Sequence, residues 1–141
     1  MIDKEIIKIA SNTENHGVLG NHTHSSKLKN AICGDEMKIY LIVEDDKITN
    51  FKYECESCIY CPASVSLLSR KAKNKMIEKV KGFSQQVKGC FDKSTNSFDK
   101  EWREFDKIMT KNNISRKECL LLPINTMLDA LSKKSLLNLK K

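Results

Sequence analysis

No stretch of this 141-residue chain is apolar for long enough to cross a bilayer as a helix. Its apolar runs, residues 39–43 with one Tyr and residues 120–122, fall far short of the roughly 20 residues such a span needs. The start, Met1-Ile2-Asp3-Lys4-Glu5, carries acids at once and leads into no long apolar segment, so it does not read as a secretory signal. Aromatic residues are only 6% of the chain, and no basic stripe is interleaved with them. The net charge of +7 and the pI near 9.1 therefore do not by themselves argue for nucleic acid. Lysines are spread along the whole chain, no sequence repeats, and no obvious active-site base stands out.

Hydrophobic residues at 40% and charged residues at 30% make a normal globular mix. The length suits one domain over residues 1–141, large enough to bury a core without disulfide staples. Six cysteines stand at positions 33, 55, 58, 61, 90 and 119. With no export signal the expected compartment is the reducing cytoplasm, where clustered cysteines serve as metal ligands or reactive thiols.

Residues 2–10 predict a short amphipathic helix, and residues 11–30 read as a polar loop. Met37, Ile39, Leu41 and Val43 alternate with their neighbours and predict a strand. A turn at Asp45-Asp46-Lys47 and a second strand over Ile48–Glu54, with Thr49, Phe51 and Tyr53 on one face, complete a hairpin. Pro62 at a first helical position predicts a helix from Ala63 to about Lys73, with Cys61 as its N-cap. Further helices are expected at about 74–88 and 101–111, with a loop carrying Cys90 over 90–98. Ser115 and Glu118 fit a capping box opening a last helix that bends at Pro123. Helix, hairpin, then helices is an α+β order: a small antiparallel sheet with helices packed against it.

Cys33-Gly34-Asp35 precedes the first strand, and Gly34 permits a tight turn that aims Cys33 and Asp35 into one place. Thiolate and carboxylate are both zinc ligands. Cys55-x-x-Cys58-x-x-Cys61 lies between the second strand and the next helix, whose N-terminus favours thiolates. Cys119 falls in the first turn of the last helix beside Arg116 and Lys117; it reads equally as a thiolate or as a packed core thiol. His22 and His24 form a loop pair with no further ligand nearby. A zinc-bearing nucleic-acid module and a dithiol redox protein, pairing Cys55–Cys58 or Cys58–Cys61, stay open as alternatives.

Asn30-Ala31-Ile32-Cys33-Gly34-Asp35 resembles the Asn-Pro-x-Cys-Gly-Asp signature of the IscU/NifU N-terminal/SufU scaffold family, with Ala31 in place of Pro. Cys58 followed by Ala63-Ser64-Val65-Ser66 resembles the second motif of that family, and Cys119-Leu120-Leu121 the third. The likeness runs from about residue 2 to about 132. Glu118 stands where IscU types carry His, no Leu-Pro-Pro-Val-Lys motif precedes it, and the span between Cys58 and Cys119 is longer, so the SufU-like branch is the nearer one. The resemblance implies iron–sulfur cluster assembly, by a scaffold or sulfur relay rather than an enzyme in its own right. It implies Zn2+ or a [2Fe-2S] cluster held by Cys33, Asp35, Cys58 and Cys119, with Cys33 as sulfur acceptor and Cys119 the second candidate. The partners implied are a cysteine desulfurase and apo iron–sulfur acceptor proteins. Cys55 and Cys61 are extra sulfurs beside Cys58 and alternatives to it as ligand, Glu118 reads as a cap or else a ligand, and Cys90 matches nothing in the family.

Overall fold

The alternation of Met37, Ile39 and Leu41 with Lys38 and Tyr40 makes β2 (Glu36–Glu44), whose first three named side chains are wholly buried. It turns through Asp45 and Asp46, both at positive φ (52° and 62°), into β3 (Lys47–Glu56). Positive φ at both loop residues is the two-residue geometry that matches strand twist. A bulge between Ile42 and Val43 leaves Thr49 as the extra residue, so Ile48, Phe51 and Tyr53 fill the core rather than Thr49. The computed structural model describes residues 4–30, 34–56, 59–90 and 98–133.

Two more strands complete a four-stranded antiparallel sheet in the order β1-β2-β3-β4. β1 (His24–Lys29) corrects the expected loop over 11–30. It has no apolar alternation to betray it; of its side chains only Ser26 is fully buried, its hydroxyl donating to the Asp129 carboxylate. β4 (Lys75–Met76) is two residues long and takes the start of the helix expected at 74–88, which is α3 (Ile77–Cys90). Cys90 thus ends a helix instead of sitting in a loop.

α1 (Lys4–Ala10) packs on α2 (Tyr60–Ala72), and α2 and α4 (Lys117–Ser132) lie side by side against the sheet. α2 starts earlier than Pro62 suggests, with Ile59 as its N-cap and Pro62 in the first turn. Proline is harmless there because the first four N–H groups of a helix have no intrahelical partner. Cys61 is therefore inside the helix, not its cap. α2 is buried nearly all round, and its serines satisfy neighbours: Ser64 donates to the Leu120 carbonyl (2.7 Å) and Ser66 to the Asn12 carbonyl (2.7 Å). Small hydroxyl side chains let α4 and the 12–15 segment approach closely without orphaned polar groups.

The stretch expected as a helix over 101–111 is two 3-10 segments, Lys100–Lys107 and Lys111–Arg116. Trp102 and Phe105 still face inward, Trp102 stacking on Phe83 with ring centroids 4.1 Å apart. The Ser115–Glu118 capping box does not form: α4 begins at Lys117, with Arg116 as N-cap and no side-chain cap bond. α4 runs through Pro123 unbroken. Among the described residues no helix is long and apolar enough to cross a membrane.

Candidate metal centre

The β1–β2 hairpin closes beyond its last ladder pair, Lys29 opposite Glu36. The Asn30 N–H donates to the Asp35 carbonyl (2.7 Å), and the Gly34 N–H to the Asn30 carbonyl (2.8 Å). Gly34 has φ 73°, a left-handed conformation that strains any residue with a Cβ. Gly34→Ala is expected to cost about 1–2 kcal/mol, read as a fall in denaturation midpoint. An unchanged midpoint would mean that the turn is not needed in this form.

Asp35 is 5% exposed at this closed end. Register puts Glu36 opposite Glu56 at the end of β3, and α2 starts four residues after Glu56, so the same end of the sheet receives the α2 N-terminus. α4 brings Cys119 there. Ser26 and Asp129 fix α4 alongside β1, and Lys133 reaches the Ser25 carbonyl (3.2 Å), so helix and strand run in opposite directions. Four residues of strand advance roughly 13 Å from Ser26 to Asn30. Ten residues of helix retreat roughly 15 Å from Asp129 to Cys119. The two advances match, and the Ser64–Leu120 bond ties the residue after Cys119 to the first turns of α2. Cys119 is 1% exposed.

Asp35 and Cys119 are thus described and both reach one sheet end; Cys33 and Cys58 lie outside the described residues. Among the described residues no group of three or more His, Cys, Asp or Glu side chains could hold a metal ion. The donors at this end, one buried carboxylate and one buried thiol, are of the types zinc takes; in sequence Cys33 stands two residues before Asp35, and Cys58 two residues before the start of α2.

Cys55 and Cys61 also lie toward this end of the sheet, packed against the core. Cys61 is fully buried within the apolar core, the setting of an inert thiol, and Cys55 is half-buried against the same core, opposite Met37. Glu118 is exposed, neither capping nor buried. The His22 Nδ1 donates to the Leu19 carbonyl (2.6 Å), and His24 shares a bond with Thr23 Oγ1 (2.9 Å). Burial holds the His24 imidazole below its ordinary pKa. One residue the sequence did not single out, Tyr60, stands at the α2 N-terminus, and the guanidinium of Arg116 lies 5.3 Å over its ring. They are far apart in the chain, and no local pattern links them.

Residues 1–90 match the family described as NifU-like N terminal domain. The chain is 28% identical over 133 residues to the iron–sulfur cluster assembly scaffold protein IscU of Thermotoga maritima, covering 94% of each. It is 32% identical over 74 residues to the zinc-dependent sulfurtransferase SufU of Bacillus subtilis, covering 52% of this chain and 50% of that one. In fold it resembles the N-terminal NifU-like protein of Brucella abortus, with TM-score 0.85 and 18% identity over 92% of this chain and 91% of the other. It also resembles a SUF-system scaffold protein from Fervidobacterium islandicum, with TM-score 0.81 and 24% identity over 92% and 96%. With a matched domain over residues 1–90 and a scaffold relative along nearly its whole length, the chain belongs to the NifU-like N-terminal family of iron–sulfur cluster assembly scaffolds.

Proposed function

We propose that this chain acts as one unit that accepts sulfur from a cysteine desulfurase and holds Zn2+, or carries a [2Fe-2S] cluster as cargo, through Cys33, Asp35, Cys58 and Cys119. The observation behind it is the arrival of Asp35 and Cys119, each more than nine-tenths buried, at one end of the sheet. The ligand set is three thiolates and one carboxylate, which suits a tetrahedral zinc site. Zinc, when bound, supplies positive charge that keeps ligand thiols deprotonated.

In the sulfur step, the Cys33 thiolate attacks the outer sulfur of the persulfide on a PLP-dependent desulfurase; Cys119 is the second candidate acceptor. A new S–S bond forms at this chain, the S–S bond of the donor breaks, and the desulfurase leaves as thiolate while the transferred sulfur keeps its proton. Apo iron–sulfur proteins are the receivers. The SufU-like branch is favoured by Glu118 in front of Cys119 and by the absence of a chaperone motif before it. The cytoplasm is the compartment that keeps such thiols reduced.

Protein purified without oxygen is expected to hold about one zinc per chain in S₃O coordination. X-ray absorption showing no sulfur ligand ends the reading. Cys55→Ser and Cys90→Ser are expected to leave the metal content unchanged. Loss of metal in Cys55→Ser but not in Cys58→Ser would move the ligand from Cys58 to Cys55.

A further inference from the structure

Pro123 lies inside α4, past its first turn, where each helical residue donates its N–H to the carbonyl four residues back. For residue 123 that carbonyl belongs to Cys119. Proline has no N–H, so the helical ladder omits this rung, and the ring crowds the carbonyl it would have met. The omission falls between the turn Lys117–Leu120, which carries Cys119, and the rest of the helix. On the other side of that turn, Arg116 supplies no side-chain cap bond, and the preceding 3-10 segment is kinked at Asn113 (φ −104°, ψ 15°). Cys119 and Leu120 are nevertheless buried. The Ser64 hydroxyl ties the turn to α2 through the Leu120 carbonyl, at 2.7 Å.

A buried thiol exchanges nothing with its surroundings until it is uncovered, and a segment with few backbone ties uncovers at a lower free energy than the whole domain. Resting on the metal-site reading above, we infer that the turn Lys117–Leu120 opens as a flap, with Pro123 as its hinge and the Ser64–Leu120 bond as its latch, and that this opening sets how fast Cys119 gives up a bound metal. Opening breaks the helical bonds that Leu121, Leu122 and Ile124 make to Lys117, Glu118 and Leu120; an N–H at residue 123 adds a fourth. The flap acts at a thiolate ligand, and the weaker Asp35 carboxylate acts independently of it.

Amide hydrogen exchange on the full chain as purified, read residue by residue, is the test. Leu121 and Leu122 are buried, as are Met127 and Ala130 farther along α4, so burial alone gives them similar protection. With the flap, Leu121 and Leu122 are expected to exchange at least about tenfold faster than Met127 and Ala130. Pro123→Ala supplies the missing donor and is expected to narrow that gap about tenfold. Ser64→Ala removes the latch and is expected to widen it about fivefold. The ratio cancels a change in overall stability that reaches both ends of α4 alike. Ordinary fraying of a helix end gives a gap that Pro123→Ala does not alter, and that result overturns the inference. Zinc loss to an excess of chelator separates the two readings. Loss that slows in Pro123→Ala and quickens in Ser64→Ala supports the flap as the route, and loss indifferent to both variants overturns it. A responsive gap in a chain that holds no zinc sinks the metal-site reading and leaves the flap as a local opening of the fold.

Discussion

Trp102→Ala is expected to remove about 3–5 kcal/mol of stability, a large share of the roughly 5–15 kcal/mol that holds a domain folded. Trp102 is 2% exposed and stacks on Phe83 at an interplanar angle of 8°. Phe83 also packs against Phe98 and Phe105, and the Lys75 ammonium lies 5.5 Å over the indole. Removing the indole empties the joint between α3 and the 3-10 segment Lys100–Lys107, whose short turns carry little stability of their own. Thermal unfolding is the measurement, and the midpoint is expected to fall by about 10–20 °C. A fall of only a degree or two would mean that this aromatic joint is not part of the cooperative core.

Asp35→Ala is expected to keep the metal or cluster and to slow its release. A carboxylate oxygen holds a soft metal centre less firmly than thiolate does, so the aspartate is the weak point through which a site of this composition opens. The hairpin keeps its closing main-chain bond, because the Asn30 N–H donates to the Asp35 main-chain carbonyl. Cys119→Ala, by contrast, is expected to empty the site. The [2Fe-2S] cluster reconstituted on the Asp35→Ala protein is expected to outlast that on the wild type by on the order of tenfold. Visible absorbance in the presence of an apo-acceptor protein follows the loss. Faster loss from the variant would show that Asp35 only stabilises the site, and opening through the carboxylate would be wrong.

By itself the sequence determined the elements whose side chains sort between core and water in a regular period. Met37, Ile39 and Leu41 made β2 legible, and Leu120, Ile124 and Met127 marked the buried face of α4. Gly34 marked a tight turn, and the motifs Asn30–Asp35, Cys58 with Ala63–Ser66, and Cys119–Leu121 carried the resemblance to the family. Tertiary structure alone decided the rest. β1 exists because its backbone pairs with β2 and Ser26 meets Asp129, neither of which leaves an apolar period in His24–Lys29. The 3-10 winding of residues 100–107 was hidden because inward-facing Trp102 and Phe105, three apart, suit an α-helix equally well. Asp35 reaches the same sheet end as Cys119, and Arg116 meets Tyr60, only because α4 lies antiparallel to β1 and parallel to α2. Such contacts depend on how whole elements are laid against one another, and local periodicity reports only which side of each element is turned from water.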